Sequence, residues 1–144
     1  MIIKQLSVFL ENQSGRLTEV AEALGELGIN ISAMSIADTT EYGILRMIVS
    51  KPEEALAALR AKGFTVSLTE VLGLLIDHKP GSLTRVLRIL SDRGVSIEYL
   101  YAFALGEKAS AVIRTESMEQ AIQVLQENQI EVRSAEPAQP DYTA

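Results

Sequence analysis

The sequence predicts an α+β fold built from two tandem βαββαβ units, each an antiparallel sheet with both helices on one face. Two observations predict it. The 144-residue chain repeats itself at a constant offset of 66 residues, taking Gly15 to Gly81. Within each copy, apolar residues switch between a period of two and a helical period in the order strand, helix, strand, strand, helix, strand.

The repeat is clearest where Ser14-Gly15-Arg16-Leu17-Thr18-Glu19-Val20 meets Pro80-Gly81-Ser82-Leu83-Thr84-Arg85-Val86. The same register pairs Leu24 with Leu90, Gly28 with Gly94, Ile31 with Ile97, Ala55 with Ala121, Leu59 with Leu125 and Val66 with Val132. One ungapped register across both halves marks a duplicated unit. It divides the chain into domains 1–70 and 71–136, with a tail, 137–144, expected to be loosely ordered because it carries two prolines and no apolar pattern.

The elements follow in order. Leu6, Val8 and Leu10 alternate as a half-buried strand, and so do Leu72, Leu74 and Ile76. Leu17, Val20, Ala21, Leu24 and Leu27 recur at helical spacing, matched by Leu83, Val86, Leu87 and Leu90; Gly28 and Gly94 stand where a helix ends. Second strands are read at 29–36 and 95–102, third strands at 42–49 and 109–115. Lys51-Pro52-Glu53-Glu54 opens a second helix, with proline in its first turn and acids at the positive end of the dipole. Fourth strands are read at 64–69 and 130–134. This element order defines the ferredoxin-like unit, which leaves one sheet face without helices. Parity places Phe9, Ile44, Arg46 and Ile48 on that open face, joined by Met34 and Ile36. It is too apolar to stay wet, so the other repeat or another subunit is expected to cover it or the sheet edge.

A formal net charge of −6 with no Lys/Arg cluster argues against nucleic acid and against an anionic membrane. With no cysteine, thiolate chemistry is excluded, and a single histidine leaves no histidine-based metal site within one chain. The N-terminus lacks a signal-peptide pattern, and no apolar run approaches the ~20 residues of a membrane span. A cytoplasmic location is expected, with no cofactor.

No catalytic constellation is evident, and no enzyme activity is expected. Glu53 and Glu54 read as helix-dipole compensation. Asp77 and His78 are strand neighbours, so their side chains diverge. Tyr99 and Tyr101 share a strand face, where ordinary sheet packing is the plainer reading. The loop between the first strand and first helix is the best site in each copy. Its glycine allows close backbone approach, and the residues that follow open a helix whose first N–H groups favour a carboxylate. The residue ahead, Asn12 or His78, can address an ammonium or a side-chain group. By spacing alone, a simple turn and cap before a helix explains the same residues.

Glu11-Asn12-Gln13-Ser14-Gly15-Arg16-Leu17 followed by Gly28-Ile29-Asn30-Ile31 resembles the ACT domain, as does Asp77-His78-Lys79-Pro80-Gly81-Ser82-Leu83 followed by Gly94-Val95-Ser96-Ile97. The resemblance covers both repeats. It implies a ferredoxin-like regulatory module that binds an amino acid at an interface between two domains packed side by side. It further implies ligand contacts from Asn12 and Asn30, positions that match asparagines of the serine-responsive branch of the family. The second repeat departs from that pattern with His78 and Ser96, so the two sites are not equivalent. The site expected from the resemblance comprises Asn12, Ser14, Gly15, Arg16, Leu17 and Asn30 in the first repeat, and Asp77, His78, Pro80, Gly81, Ser82 and Leu83 in the second. The expected protein is an allosteric amino-acid-binding regulator or a regulatory subunit of a metabolic enzyme, working as a homodimer or larger homo-oligomer. The alternative is a ligand-free interaction module that assembles with a partner protein.

Overall fold

A computed structural model describes residues 2–39 and 41–132. The elements are β1 (Ile2–Glu11), α1 (Arg16–Glu26), β2 (Ile31–Asp38), β3 (Tyr42–Val49), α2 (Pro52–Ala61), β4 (Thr65–Asp77), α3 (Ser82–Asp92), β5 (Ile97–Leu105), β6 (Lys108–Thr115), α4 (Met118–Glu127) and β7 (Glu131–Val132). The chain divides into two compact units, one of residues 4–69 and one that joins the start of β1, Ile2 and Ile3, to the residues from Glu70 onward. The tail, 137–144, and the end of the last predicted strand lie outside the described residues.

In the first unit the strands run in the order β2-β3-β1-β4. β1 and β2 both pair antiparallel with β3. In the second unit β4 and β5 both pair antiparallel with β6, and β7 adds to β4 through Leu74 and Leu75. This is the predicted topology, twice. One boundary differs. The predicted last strand of the first repeat and first strand of the second are one strand, Thr65–Asp77. Between them stand only Glu70 and Val71, with no glycine, proline or turn residue to stop an extended chain.

Each unit has its own core, built where the helical stripe meets the strand stripe. In the first, Leu6, Val8 and Leu10 of β1 and Leu45 and Met47 of β3 pack under Val20, Ala23 and Leu24 of α1 and Ala55 and Leu59 of α2. In the second, Leu72 and Leu74 of β4 and Ala111 and Ile113 of β6 meet Val86 and Leu90 of α3 and Ala121, Val124 and Leu125 of α4. α2 starts as read, with Pro52 in the first turn followed by Glu53 and Glu54, and Glu53 takes an ion pair from Lys4 of β1.

The open face needs two corrections. Phe9 and Ile44 are exposed on it, with the Tyr42 ring stacked on Phe9 at 4.8 Å between centroids. Ile48, however, is only 4 % exposed, and Ile3 and Gln5 of the same face are buried too. The face is therefore open only around Phe9, Tyr42 and Ile44. Met34 and Ile36 are not on it at all. They pair with Met47 and Leu45, which are core residues, so they lie on the helix side. A register irregularity between Ile31 and Ala33 breaks the count in twos, and a one-residue shift moves every later side chain to the opposite face.

Leu24 and its repeat counterpart Leu90 are fully buried. Truncating either to alanine removes the same contacts in its own unit and is expected to destabilise by about 2–5 kcal/mol. Leu27→Ala, at an exposed position of the first repeat, should shift stability by no more than ~0.5 kcal/mol. Urea unfolding of the three variants checks this ranking.

Candidate functional site

Both β–α loops have one geometry. In the first, β1 ends at Glu11 and the Asn12 N–H donates to the Glu41 carbonyl at 2.9 Å. The Gln13 N–H then donates to the Glu11 carbonyl at 2.8 Å, and the Arg16 N–H to the Gln13 carbonyl at 3.3 Å. Gly15 follows at φ 89°, ψ −10°, and its carbonyl accepts the first helical bond, from Glu19, at 3.0 Å. In the second, the His78 N–H donates to the Glu107 carbonyl at 2.8 Å and the Ser82 N–H to the Lys79 carbonyl at 3.2 Å. Gly81 sits at φ 89°, ψ −14°, and its carbonyl accepts from Arg85 at 3.0 Å.

A left-handed residue costs about 1–2 kcal/mol for any side chain except glycine's. A Cβ at either position would meet nothing within 4 Å, so the demand for glycine is conformational and the space over the loop is open. A glycine cap also has no side chain, and no side-chain hydrogen bond caps either helix. The helix starts thus present backbone donors and the positive end of the dipole towards open space, an arrangement suited to a carboxylate.

The side chains around the two loops differ. Asn12, Ser14, Leu17 and Asn30 are exposed. Arg16 turns away to pack in its own unit: its guanidinium lies 4.8 Å from the Phe64 ring centroid and donates to Glu19 at 2.9 Å. In the second loop Asp77, His78 and Pro80 are exposed, and Ser82 and Leu83 are half-buried. Lys108 donates to Asp77 at 2.7 Å, and Lys79 lies 3.8 Å from the same carboxylate. The hydrogen bond from Lys108, reinforced by its charge, holds the Asp77 carboxyl below its ordinary range and lifts Lys108 in return. Glu41, Glu107 and Lys108 were not singled out by sequence reasoning. Gly106-Glu107 in the β5–β6 turn is the one local signal for Glu107 and Lys108, and only strand pairing shows which loop that turn meets.

The structure brings Asn12 to the helix start but keeps Asn30 away from it. Asn12 is tied to Glu41 at one end of β3. Asn30 exchanges hydrogen bonds with Ser50 at the other end: its N–H donates to Ser50 Oγ, and its carbonyl accepts from the Ser50 N–H, both at 2.9 Å. The eight extended residues of β3 separate Glu41 from Ser50, roughly 30 Å at strand rise. Within one unit, Asn12 and Asn30 cannot hold the same amino acid. The second unit repeats the separation, with His78 tied to Glu107 and Ser96 beyond the far end of β6.

A shallow hollow of about 320 Å³ lies along α1, lined by Glu19, Glu22, Ala23, Glu26, Lys62 and Phe64. None of the predicted site residues lines it, and three glutamates make it a poor place for a carboxylate. Among the described residues, no group of three His, Cys, Asp or Glu could hold a metal, and no helix is long and apolar enough to cross a membrane.

Two ferredoxin-like units, each with a glycine-capped helix after its first strand, define a tandem ferredoxin-like fold. The chain belongs to the ACT domain pair family, whose sequence profile matches residues 1–137. It is similar to the crystal structure of protein BT0572 from Bacteroides thetaiotaomicron, at 48 % identity over 94 % of each chain and a TM-score of 0.91. The ligand-free regulatory subunit of aspartate kinase from Thermus thermophilus shares its fold, at 20 % identity over 86 % of this chain and 91 % of that one, TM-score 0.64. The corresponding subunit from Thermus flavus does so at 18 % identity over 88 % and 94 %, TM-score 0.63. No curated protein matches.

The Asp77–Lys108 pair gives a pH prediction. A lowered folded pKa means its stabilisation is full above the unfolded carboxyl value and disappears as pH falls through the folded value. Carbon-detected NMR titration should therefore find Asp77 titrating below the usual aspartate range in the native protein. In Lys108→Met it should return towards that range.

Proposed function

We propose that this chain is a non-catalytic regulatory protein that binds a free amino acid at its β–α loops, each site being completed by a unit from another copy. The observation that carries the reading is the pair of matching loops, in which a left-handed glycine leaves a helix start open beside Asn12 or His78. The ligand's carboxylate sits on the helix start, and Asn12 or His78 addresses its ammonium or side chain. Ser14, Gly15 and Leu17 line the first loop, and Pro80, Gly81, Ser82 and Leu83 the second. Arg16 acts behind the first loop by holding α1 to Phe64. Asp77 acts behind the second by placing Lys108 and Lys79. Asn30 reaches a ligand only on a loop outside its own unit.

Membership in the ACT domain pair family supports a regulatory role, and the fold shared with proteins named as regulatory subunits of aspartate kinase suggests a metabolic enzyme as partner. A ligand that bridges two copies stabilises one assembly over another, which makes binding a signal. The cytoplasm, where free amino acids and such an enzyme meet, is the proposed location.

Thermal unfolding against a panel of the common amino acids at millimolar concentration tests the reading. A ligand at about 100 times its Kd should add roughly 2.7 kcal/mol, a rise in Tm of several degrees. A selective rise that Asn12→Ala abolishes places the ligand at the first loop. One that survives it but is lost in His78→Ala places it at the second. No rise with any amino acid refutes ligand binding and favours the interaction module.

A further inference from the structure

Each ladder of strand pairs ends immediately ahead of a β–α loop. β1 and β3 pair from Leu6–Met47 to Glu11–Tyr42, and β4 and β6 from Leu72–Ile113 to Asp77–Lys108. The two last rungs are equivalent in the repeat, because 66 residues take Glu11 to Asp77 and Tyr42 to Lys108. One backbone hydrogen bond lies beyond each rung. The Asn12 N–H donates to the Glu41 carbonyl in the first unit, and the His78 N–H to the Glu107 carbonyl in the second. On the far side of each loop the helix is anchored in its core, through Val20 and Leu24 or through Val86 and Leu90. The strand end is therefore where a loop comes loose first, since terminal pairs open at the smallest cost in free energy.

The last rungs are held by unlike chemistry. In the first unit the Tyr42 ring lies on Phe9, its diagonal neighbour on β1, at 4.8 Å between centroids and 27° between planes. The Thr39 N–H and hydroxyl both donate to the Tyr42 carbonyl, at 2.8 and 3.3 Å, and pin the same residue from the hairpin side. In the second unit Leu75 stands in the place of Phe9 and Lys108 in the place of Tyr42. Lys108 donates to Asp77, directly opposite, at 2.7 Å, and Lys79 lies 3.8 Å from the same carboxylate. The side chains of Lys108 and Asp77 are 53 % and 52 % exposed. An ion pair so placed is weakened by dissolved salt, whereas an aromatic stack has no charge to screen.

We propose that Tyr42 and Lys108 are the positioning residues of the two loops, so that ionic strength unseats the His78 loop and leaves the Asn12 loop in place. Tyr42 acts through Phe9 to keep the Glu41 carbonyl on the Asn12 N–H. Lys108 acts through Asp77 to keep the Glu107 carbonyl on the His78 N–H. Neither residue needs to touch a ligand to do this. The stack is also the stronger lock, because an exposed ion pair contributes less than two rings in contact.

The locks also deepen the proposed function, and this consequence rests on that reading. When a rung opens, the residue that addresses the ligand loses its place beside the helix start. A response carried by the His78 loop then fades as salt rises, and one carried by the Asn12 loop persists. One chain thus holds a site that reads its ligand together with ionic strength, and another that reads its ligand alone.

Amide hydrogen exchange of the full chain, followed by NMR at one pH with no ligand added, tests the locks. The Asn12 and His78 amides report the two rungs, and the Leu24 and Leu90 amides, inside α1 and α3, report opening of each whole unit. Raising sodium chloride from about 0.01 to about 1 M shortens the screening length from ~30 to ~3 Å. The His78 amide is then expected to exchange about threefold faster relative to Leu90, with the ratio of Asn12 to Leu24 unchanged. Lys108→Met should bring the faster His78 exchange at low salt and abolish its salt dependence, and Lys108→Arg should restore both. Tyr42→Ser should quicken Asn12 about fivefold and leave His78 alone, whereas Tyr42→Phe keeps the ring and the slow exchange. Salt that quickens both loop amides alike, or neither, overturns the proposal. So does a Tyr42→Phe chain that exchanges like Tyr42→Ser, or a quickening that Leu24 or Leu90 shares. Because no ligand is present, this result stands apart from the thermal response to the amino-acid panel, and either can fail without the other.

Discussion

The eight residues of β3, between Glu41 at one end and Ser50 at the other, hold the two ends of the first unit's sheet about 30 Å apart. The candidate site residues of the unit are arranged around that separation. The helix start that suits a carboxylate is fixed at one end, where Asn12 bonds to Glu41, and Asn30 is fixed at the other by Ser50. No side-chain rotation closes such a gap. A ligand contacted from both kinds of end must therefore be contacted by two units.

The two loops share a backbone but not a chemical environment. Gly15 and Gly81 have the same left-handed conformation, so both helices present uncapped starts. Around the first, the neighbouring charges are acidic, Glu11 and Glu41, and the nearby cation, Arg16, is committed to Glu19 and Phe64. Around the second, Asp77 and Glu107 are accompanied by two lysines, Lys79 and Lys108, both paired with the Asp77 carboxylate beside His78. Duplication copied the cradle, and later substitution changed what stands beside it.

Much of this was legible in the sequence. A period-two stripe and a helical stripe, repeated at one offset, specify the element order, because only one face of each element can be buried. The glycines before α1 and α3 were legible because their place before a helical stripe is a strong local signal. Less legible was anything set by pairing between distant strands. The faces of Met34 and Ile36 depend on an irregularity after Ile31 that leaves no residue-level mark. The continuous β4 was hidden because each repeat was read to its own end. The partners of the loops, Glu41 and Glu107, lie about 30 residues further along the chain, beyond the reach of any local pattern. The distance between Asn12 and Asn30 needed strand register as well, since similarity to a family motif names residues without measuring between them.

The central claim is that a ligand is held only where two copies meet. The most direct measurement is a titration of the amino acid that gives a thermal response, repeated at falling protein concentration, with sedimentation reporting the mass at each step. Bound ligand should track the assembled fraction, and saturating ligand should in turn hold the assembly together at dilutions where the unliganded protein separates. A single copy that sediments as a monomer and binds the ligand with undiminished affinity would contradict the claim.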